Sequence, residues 1–378
     1  MFLSPLWLLV SLPGYIGWRL LPPLAVGPFG VLAGIALLIA CCVVIPLSVR
    51  QWTIRDPTLQ NLFAWTGVLF MGFFSSLFVF TFLRDVVLIF TRLLLSAPQA
   101  AALAAPSARW TLALTVFVTL TGLVIARRRP HIVHVDIPIS DLPAALHGFS
   151  IVQISDVHVG PTIKRGFVEK VVSSVNSLKA DLIAVTGDLV DGSVQQLSAD
   201  TAPFAGLAAR HGAFFVNGNH EYYSGERAWS AEIRRLGMRV LKNEHVVLEH
   251  DGALLVVAGV TDLGAHRFDG AERSDPAAAL RGSPADAGAR VLLAHQPNSA
   301  PAAAAAGFDV QLSGHTHGGQ FWPWNLFVGF FQPFTAGLYR LKKMWIYVSR
   351  GTGYWGPPNR FGVPSEITRI RLVAATGV

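Results

Sequence analysis

The sequence predicts an α/β domain carried behind a set of transmembrane helices, and three observations predict it. The chain is 52% hydrophobic and only 14% charged, against about 25% charged in an ordinary soluble domain. Its first third consists of long apolar runs, whereas all twelve histidines lie beyond residue 129. From residue 149 onward, short apolar strands alternate with Ala-rich, helix-compatible stretches, the pattern of strands interleaved with helices. At 378 residues the chain has room for two or three units of ordinary domain size.

Residues 1–129 read as a transmembrane domain of about four helices. Residues 1–20 are apolar but broken by Pro13-Gly14, and no basic residue precedes Arg19. A secretory signal wants a positive start, so this segment reads as an uncleaved span or a re-entrant one. The charge-free runs 29–49 and 61–83 each supply the roughly 20 apolar residues that cross about 30 Å of hydrocarbon. A shorter run, 110–126, stops at Arg127-Arg128-Arg129-Pro130. Arg50, Arg55 and the triple arginine fall on one side of such spans, and Arg19, Arg84, Arg92 and Arg109 on the other. The excess on the first side predicts a cytoplasmic C-terminal domain in a bacterial-type inner or plasma membrane.

Charge and cysteine content exclude other classes. Residues 1–129 carry nine Arg and two acids, Asp56 and Asp85, and account for the whole net charge of +7; residues 130–378 are balanced at 21 of each sign. Basic residues that punctuate apolar segments are not a nucleic-acid footprint, which needs them clustered on a folded face. Cys41 and Cys42 are adjacent within an apolar run, and a disulfide framework or thiolate metal site cannot be built from them.

Residues 130–147, with Pro130, Pro138 and Pro143, read as a polar linker, and residues 148–378 as the α/β domain. Strands are expected at 149–154, 182–186, 213–216, 254–259, 291–293, 310–312 and 345–348, with helices at 167–178, 228–236 and 300–306. Five strand exits carry a restricted chemistry. They are Ser155-Asp156-Val157-His158, Gly187-Asp188-Leu189-Val190-Asp191-Gly192, Asn217-Gly218-Asn219-His220-Glu221, Ala294-His295, and Ser313-Gly314-His315-Thr316-His317-Gly318-Gly319-Gln320. Strand C-termini along one edge of an α/β sheet are where ligand sites form. Taken singly, each motif is an ordinary turn, cap or core histidine. That five of the seven strand exits deliver Asp, Asn and His is not explained by packing. Carboxylate, amide and imidazole without sulfur suit Mn, Fe, Zn or Mg. The ligand-type residues are too numerous for one closed tetrahedral site, which favours a two-metal centre with ions about 3.5–4 Å apart.

Asp156-x-His158, Gly187-Asp188-x-x-Asp191, Gly218-Asn219-His220-Glu221, His295 and Gly314-His315-x-His317 resemble the five signature blocks of the calcineurin-like metallophosphoesterases, over about residues 148–375. The tail Ser349-Arg350-Gly351-Thr352-Gly353, and later Pro364-Ser365-Glu366-Ile367, is similar to the membrane-linked subgroup. That subgroup holds transmembrane proteins with a metallophosphoesterase domain and relatives that cleave UDP-2,3-diacylglucosamine in lipid A biosynthesis. The resemblance implies a four-layer αββα sandwich and two divalent ions, manganese favoured. It implies that Asp156, His158 and His317 hold the first ion, that Asn219, His295 and His315 complete the second, and that Asp188 bridges them. It implies His220 as general acid or electrostatic stabiliser beside the phosphate, oriented by Asp191. Serine/threonine phosphatases of the family carry Arg where Gly192 stands here, which lowers the phosphoprotein reading.

The run 321–331, Phe-Trp-Pro-Trp-Asn-Leu-Phe-Val-Gly-Phe-Phe, follows the histidine pair directly. It is either a packed hydrophobic loop or an apolar lip, in which Trp322, Trp324 and Phe327 face lipid or receive acyl chains. With the membrane segment, it predicts an enzyme that hydrolyses a phosphodiester or pyrophosphate bond by metal-activated hydroxide, on a lipid-linked substrate such as UDP-diacylglucosamine or a phospholipid headgroup. The alternatives are a broad phosphatase or nucleotide phosphodiesterase that uses the membrane part only as an anchor, and a non-catalytic metal-binding sensor or transporter. The expected partners are the bilayer and a lipid-linked or nucleotide-containing phosphoester.

Overall fold

The computed structural model describes residues 5–375 apart from 51–53 and 55, so Arg55 of the expected inside loop lies outside the described residues. The chain separates into two units. One comprises residues 1–125 with 356–361, the other residues 126–355 with 362–378.

The first unit is helical: α1 (Pro5–Leu24), α2 (Gly27–Val49), α3 (Pro57–Leu94), α4 (Ala97–Ala102) and α5 (Ala104–Arg127). Three stretches, Gly27–Ser48, Thr58–Leu94 and Ala97–Arg127, are long and apolar enough to cross a membrane. Protein buries almost none of the first, and Phe29 and Leu32 on α2 are 88% and 62% exposed. A helix that displays such side chains all round requires an apolar solvent. The second differs from expectation in length, because α3 continues unbroken through Arg84, Asp85 and Arg92. Two of these charges are paired: Arg19 donates from Nε and Nη2 to Asp85 at 2.7 and 2.9 Å, Tyr15 donates its hydroxyl at 2.6 Å, and Arg84 Nη1 donates to Asp85 at 3.3 Å. Arg84 reaches Ser107 Oγ and the Ala104 carbonyl. Pairing removes the cost of leaving a charge unsatisfied away from water. Below this network, Ile16, Leu20, Cys41, Phe74, Leu77 and Ala108 form the unit's core.

The second unit is a sandwich of two six-stranded mixed sheets. The first has the order β1 (His131–Ile139), β12 (Glu366–Ala374), β2 (Ser150–Ile154), β3 (Leu182–Val185), β4 (Ala213–Phe215), β5 (Arg239–Val240). The second runs β10 (Gly337–Leu341), β11 (Met344–Val348), β9 (Val310–Ser313), β8 (Ala289–Leu293), β7 (Ala253–Gly259), β6 (Glu244–His250). Side chains alternate between the faces of a strand, and here the alternation defines the layers. Ile151, Leu182, Ala184 and Phe214 of the first sheet share one core with Leu255, Val257, Val291, Leu293, Val310 and Leu312 of the second. The intervening Ala258, Leu292, Ile346 and Val348 face outward onto Ala279 of α10 (Pro276–Leu280) and Ala300 and Ala303 of α11 (Ala300–Ala306). On the other outer face α6 (Arg165–Ser177) buries Phe167, Val168, Val171, Val172 and Val175. The result is the αββα arrangement.

Two features of this unit depart from the sequence reading. Residues 131–139, read as linker, are β1, in parallel register with β12 from His131–Glu366 to Ile139–Ala374. Residues 356–361, between β11 and β12, group with the helices: the Arg360 N–H donates to the Gly122 carbonyl at 3.1 Å, and the Phe361 ring lies edge-on to Phe117.

Candidate metal centre

The five predicted strand exits converge at one edge of the two sheets. β2 delivers Asp156 and His158, β3 delivers Asp188 and Asp191, and β4 leads into α8 (Asn219–Ser224), which carries Asn219 and His220. From the second sheet, β8 delivers His295, and β9 delivers His315 and His317. Asp156, His158, Asp188, His315 and His317 all have φ between 51° and 72°. A left-handed backbone is uncommon for residues other than glycine and concentrates where a site over-determines it. The adjoining glycines are required by closeness. A Cβ on Gly218 would collide with the Asp188 carboxylate, and one on Gly314 with Ser155 Oγ and the Asp156 carboxylate.

The side chains fall into three groups whose potential ligand atoms lie within 4.8 Å of one another: Asp156, His158 and His317; Asp188, His295 and His315; and His158, Asp191 and His220. In the first, His158 Nε2 is 3.1 Å from His317 Nε2, which is 3.4 Å from Asp156 Oδ1. In the second, His295 Nε2 is 3.2 Å from both Asp188 Oδ2 and His315 Nδ1. His295 Nδ1–H donates to the Thr186 carbonyl at 2.8 Å, which turns Nε2 toward Asp188 and His315. Asp188 Oδ2 also lies 3.9 Å from His158 Nε2, so one carboxylate oxygen stands between the two groups. Asn219 Oδ1 is buried and has no hydrogen-bond partner. A buried acceptor without a donor is expensive, and a cation satisfies it. This donor set fits divalent metal, and the chain is a metal-binding protein.

Electrostatics follow the same geometry. Burial opposes charge on Asp188, but His295 beside it prevails and holds the carboxyl well below its usual range. Burial, and then the charge of His295, pushes His315 down to about 4. His220 Nδ1 is 2.5 Å from Asp191 Oδ1. Burial disfavours its charged form, yet Asp191 and Asp188 outweigh that and raise it to about 9.

Three supports escaped the sequence reading. Asp191 Oδ1 also accepts from His158 Nδ1 at 3.0 Å, so it orients one ligand-type histidine as well as His220. Buried Glu221 accepts the backbone N–H groups of Asp188, Leu189, Val190 and Gly218 at 2.7–3.3 Å and ties the β3 and β4 exits together. Its place in Gly-Asn-His-Glu was visible, but its contacts were not. The Thr352 and Gly353 N–H groups donate to the Ser155 and Asp156 carbonyls and brace the first exit. The aromatic run forms short 3₁₀ turns at Trp324–Leu326 and Val328–Phe330. Phe321 is buried and Trp322 half-buried, while Trp324, Phe327, Phe330 and Phe331 are 38%, 45%, 80% and 81% exposed.

Residues 149–319 match the calcineurin-like phosphoesterase family, and an uncharacterized metallophosphoesterase of Aquifex aeolicus is 33% identical over 59% of this chain and 84% of its own. The chain belongs to the calcineurin-like metallophosphoesterases. Among other relatives of this family, a transmembrane protein with metallophosphoesterase domain from Danio rerio is 37% identical over 70% of this chain. An uncharacterized metallophosphoesterase of Helicobacter pylori is 39% identical over 59% of this chain and 59% of its own. The chain spans 62% of the length of the Danio rerio relative. The two-sheet sandwich and the apolar helices ahead of it are the architecture expected of a membrane-linked metallophosphoesterase.

Proposed function

We propose that this chain is a membrane-bound, dinuclear metal-dependent phosphoesterase that hydrolyses a phosphodiester or pyrophosphate bond of a lipid-linked substrate, such as UDP-diacylglucosamine or a phospholipid headgroup. The observation that carries the reading is the Asp188 carboxylate, shared between two separate groups of ligand-type side chains. Asp156, His158 and His317 would hold one ion and Asn219, His295 and His315 the other, with Asp188 placed to serve both. Bound there, the ions supply Lewis-acid polarisation of the phosphoryl oxygens and activation of the attacking water. His220 lies at the rim with its Nδ1 held by Asp191, and its other nitrogen delivers the proton to the departing oxygen. The nucleophile comes from water, so no phosphorylated side chain forms.

The lipid part of the reading rests on the exposed run from Trp324 to Phe331, which immediately follows the histidine pair. Exposed aromatic side chains suit a lipid interface or an acyl path, and they argue against a packed loop. The test uses purified, Mn-loaded full-length protein in detergent and a panel of lipid, nucleotide and phosphoprotein substrates. Replacing Trp322, Trp324 and Phe327 by Ser lowers cleavage of a lipid-linked substrate and leaves a small soluble phosphodiester nearly untouched. Parallel loss on both substrates, together with a lower melting temperature, retires the lipid path.

A further inference from the structure

Two aromatic side chains from separate segments flank His220, and a third extends their surface. Tyr223, one turn further along α8, stands edge-on to the imidazole with ring centroids 5.3 Å apart, and Trp355 does so at 5.7 Å. Phe268 continues the surface, 5.7 Å from Tyr223. Tyr223, Phe268 and Trp355 are 65%, 54% and 54% exposed, so these are not core residues that happen to border the site. Trp355 is also held in place. Its N–H donates to Gln320 Oε1 at 2.8 Å, and Gln320 Nε2 donates back to its carbonyl at 2.9 Å. Gln320 belongs to the loop that carries His315 and His317, so the loop that supplies ligand-type residues also fixes the tryptophan.

We propose that Tyr223, Phe268 and Trp355 form a stacking platform for a heteroaromatic ring, of the nucleobase class, carried on the leaving group. The inference rests on the reading of the site as a phosphoesterase and adds the substrate class on one side of the scissile bond. Water's oxygen joins phosphorus, the bond from phosphorus to the leaving oxygen breaks, and that oxygen departs with the proton of His220, which the attacking water restores. Whatever hangs on the leaving oxygen therefore sits beside His220 and against its aromatic neighbours. Phe268 also lines, with Tyr222, Arg227, Asp269 and Glu272, a cleft of about 440 Å³. Tyr222 donates its hydroxyl to Glu272, and Arg227 pairs with Asp269. Aromatic faces backed by donors and acceptors suit a flat ring with polar edges better than an acyl chain. The acyl side has its own candidate in the run at 324–331.

The experiment reads binding directly, separately from turnover. Mn-loaded full-length protein in detergent is titrated calorimetrically with uridine 5′-monophosphate, adenosine 5′-monophosphate, ribose 5-phosphate and dihexanoyl phosphatidate. Saturation-transfer NMR then identifies which ligand protons touch the protein. The nucleotides are expected to bind about 10-fold more tightly than ribose 5-phosphate, as stacked bases do on aromatic side chains, with the strongest transfer to base protons. Tyr223→Ala and Trp355→Ala shrink that preference, whereas Tyr223→Phe, which keeps the ring, preserves it. Since Tyr223 is largely exposed, its two variants carry the test even if Trp355→Ala fails to fold. Equal binding of nucleotides and ribose 5-phosphate by the unaltered protein overturns the platform. So does a preference for dihexanoyl phosphatidate that Tyr223→Ala abolishes. Hydrolysis of bis(p-nitrophenyl) phosphate, measured on the same sample, reports the parent reading independently: turnover without base preference discards the platform alone.

Discussion

At the scale of single residues, the proposed function assigns Asp188 and His220 different roles, and substitutions separate them. Asp188 is positioned to serve both ligand groups, so Asp188→Asn is expected to lower bound metal throughout the centre, as read by elemental analysis. His220 faces a different duty. His220→Ala is expected to keep most of the metal while turnover falls about 10²–10⁴-fold, the usual range for a lost general acid. Metal loss in His220→Ala equal to that in Asp188→Asn would reassign His220 as a ligand. Glu221 acts one step further out. Its carboxylate accepts four backbone N–H groups from the exits that bear Asp188 and Asn219. Glu221→Gln removes one acceptor oxygen and turns an amide donor toward those N–H groups. Leaving buried donors unsatisfied costs about 1–3 kcal/mol each, so the variant is expected to melt lower and bind metal more weakly. An unchanged melting curve and metal content would make Glu221 dispensable.

At the scale of elements, what was legible in the sequence was what local pattern encodes. The strands that feed the site are short apolar runs ended by glycine and polar residues, and β2, β3, β4, β7, β8, β9 and β11 lie within a residue or two of their expected places. β1 was hidden because three prolines suggested a linker. Pro138 is tolerated in β1 because that strand is at the sheet edge, where a missing N–H breaks no shared ladder. β6, β10 and β12 alternate polar with apolar residues or carry charges, so their strand character depends on partners distant in sequence. The same limit hid Asp191's second histidine and the reach of Thr352 and Gly353, since contacts between loops leave no trace in spacing. Far from the metals, the β4 approach yields a pH prediction. His211 Nε2 is 3.0 Å from His250 Nδ1, with Arg210, Asp181 and Asp251 nearby. Burial, then the charge of His250, lowers His211 from its ordinary 6.5. The unfolded chain therefore protonates first as pH falls. The stability that His211 contributes is full above about 6.5, its unfolded value, and is lost as pH falls below it. Between pH 7.5 and 5.5 the melting temperature of His211→Gln is expected to drop less than that of the unaltered protein; identical slopes would remove His211 from the account.

At the scale of the whole molecule, the question is which side of the membrane carries the metal centre, and the helical unit changes how it is argued. α3 runs 38 residues, about 57 Å at 1.5 Å per residue, nearly twice the ~30 Å hydrocarbon thickness. Arg84 and Arg92 thus belong to the far end of one long helix rather than to a loop, and the Arg84–Asp85–Arg19 network ties that end to α1. Three stretches, 27–48, 58–94 and 97–127, are long and apolar enough to span; if all three cross, the residues after α2 and those after α5 share one side. By sequence position Arg50, Arg55 and Arg127 to Arg129 belong to that side, and the positive-inside rule then predicts that it is cytoplasmic. Counting α1 as a span or not changes the expected side of the chain's start but not the expected side of the C-terminal unit. A phosphatase-type reporter fused after residue 378, active only when exported, is therefore expected to be silent, and a fluorescent protein that matures only in the cytoplasm is expected to be bright. Replacing Arg127 to Arg129 by Gln should raise the exported fraction, because the five arginines that set the bias fall to two. A fusion active only outside the cytoplasm in the unaltered chain would reverse the orientation.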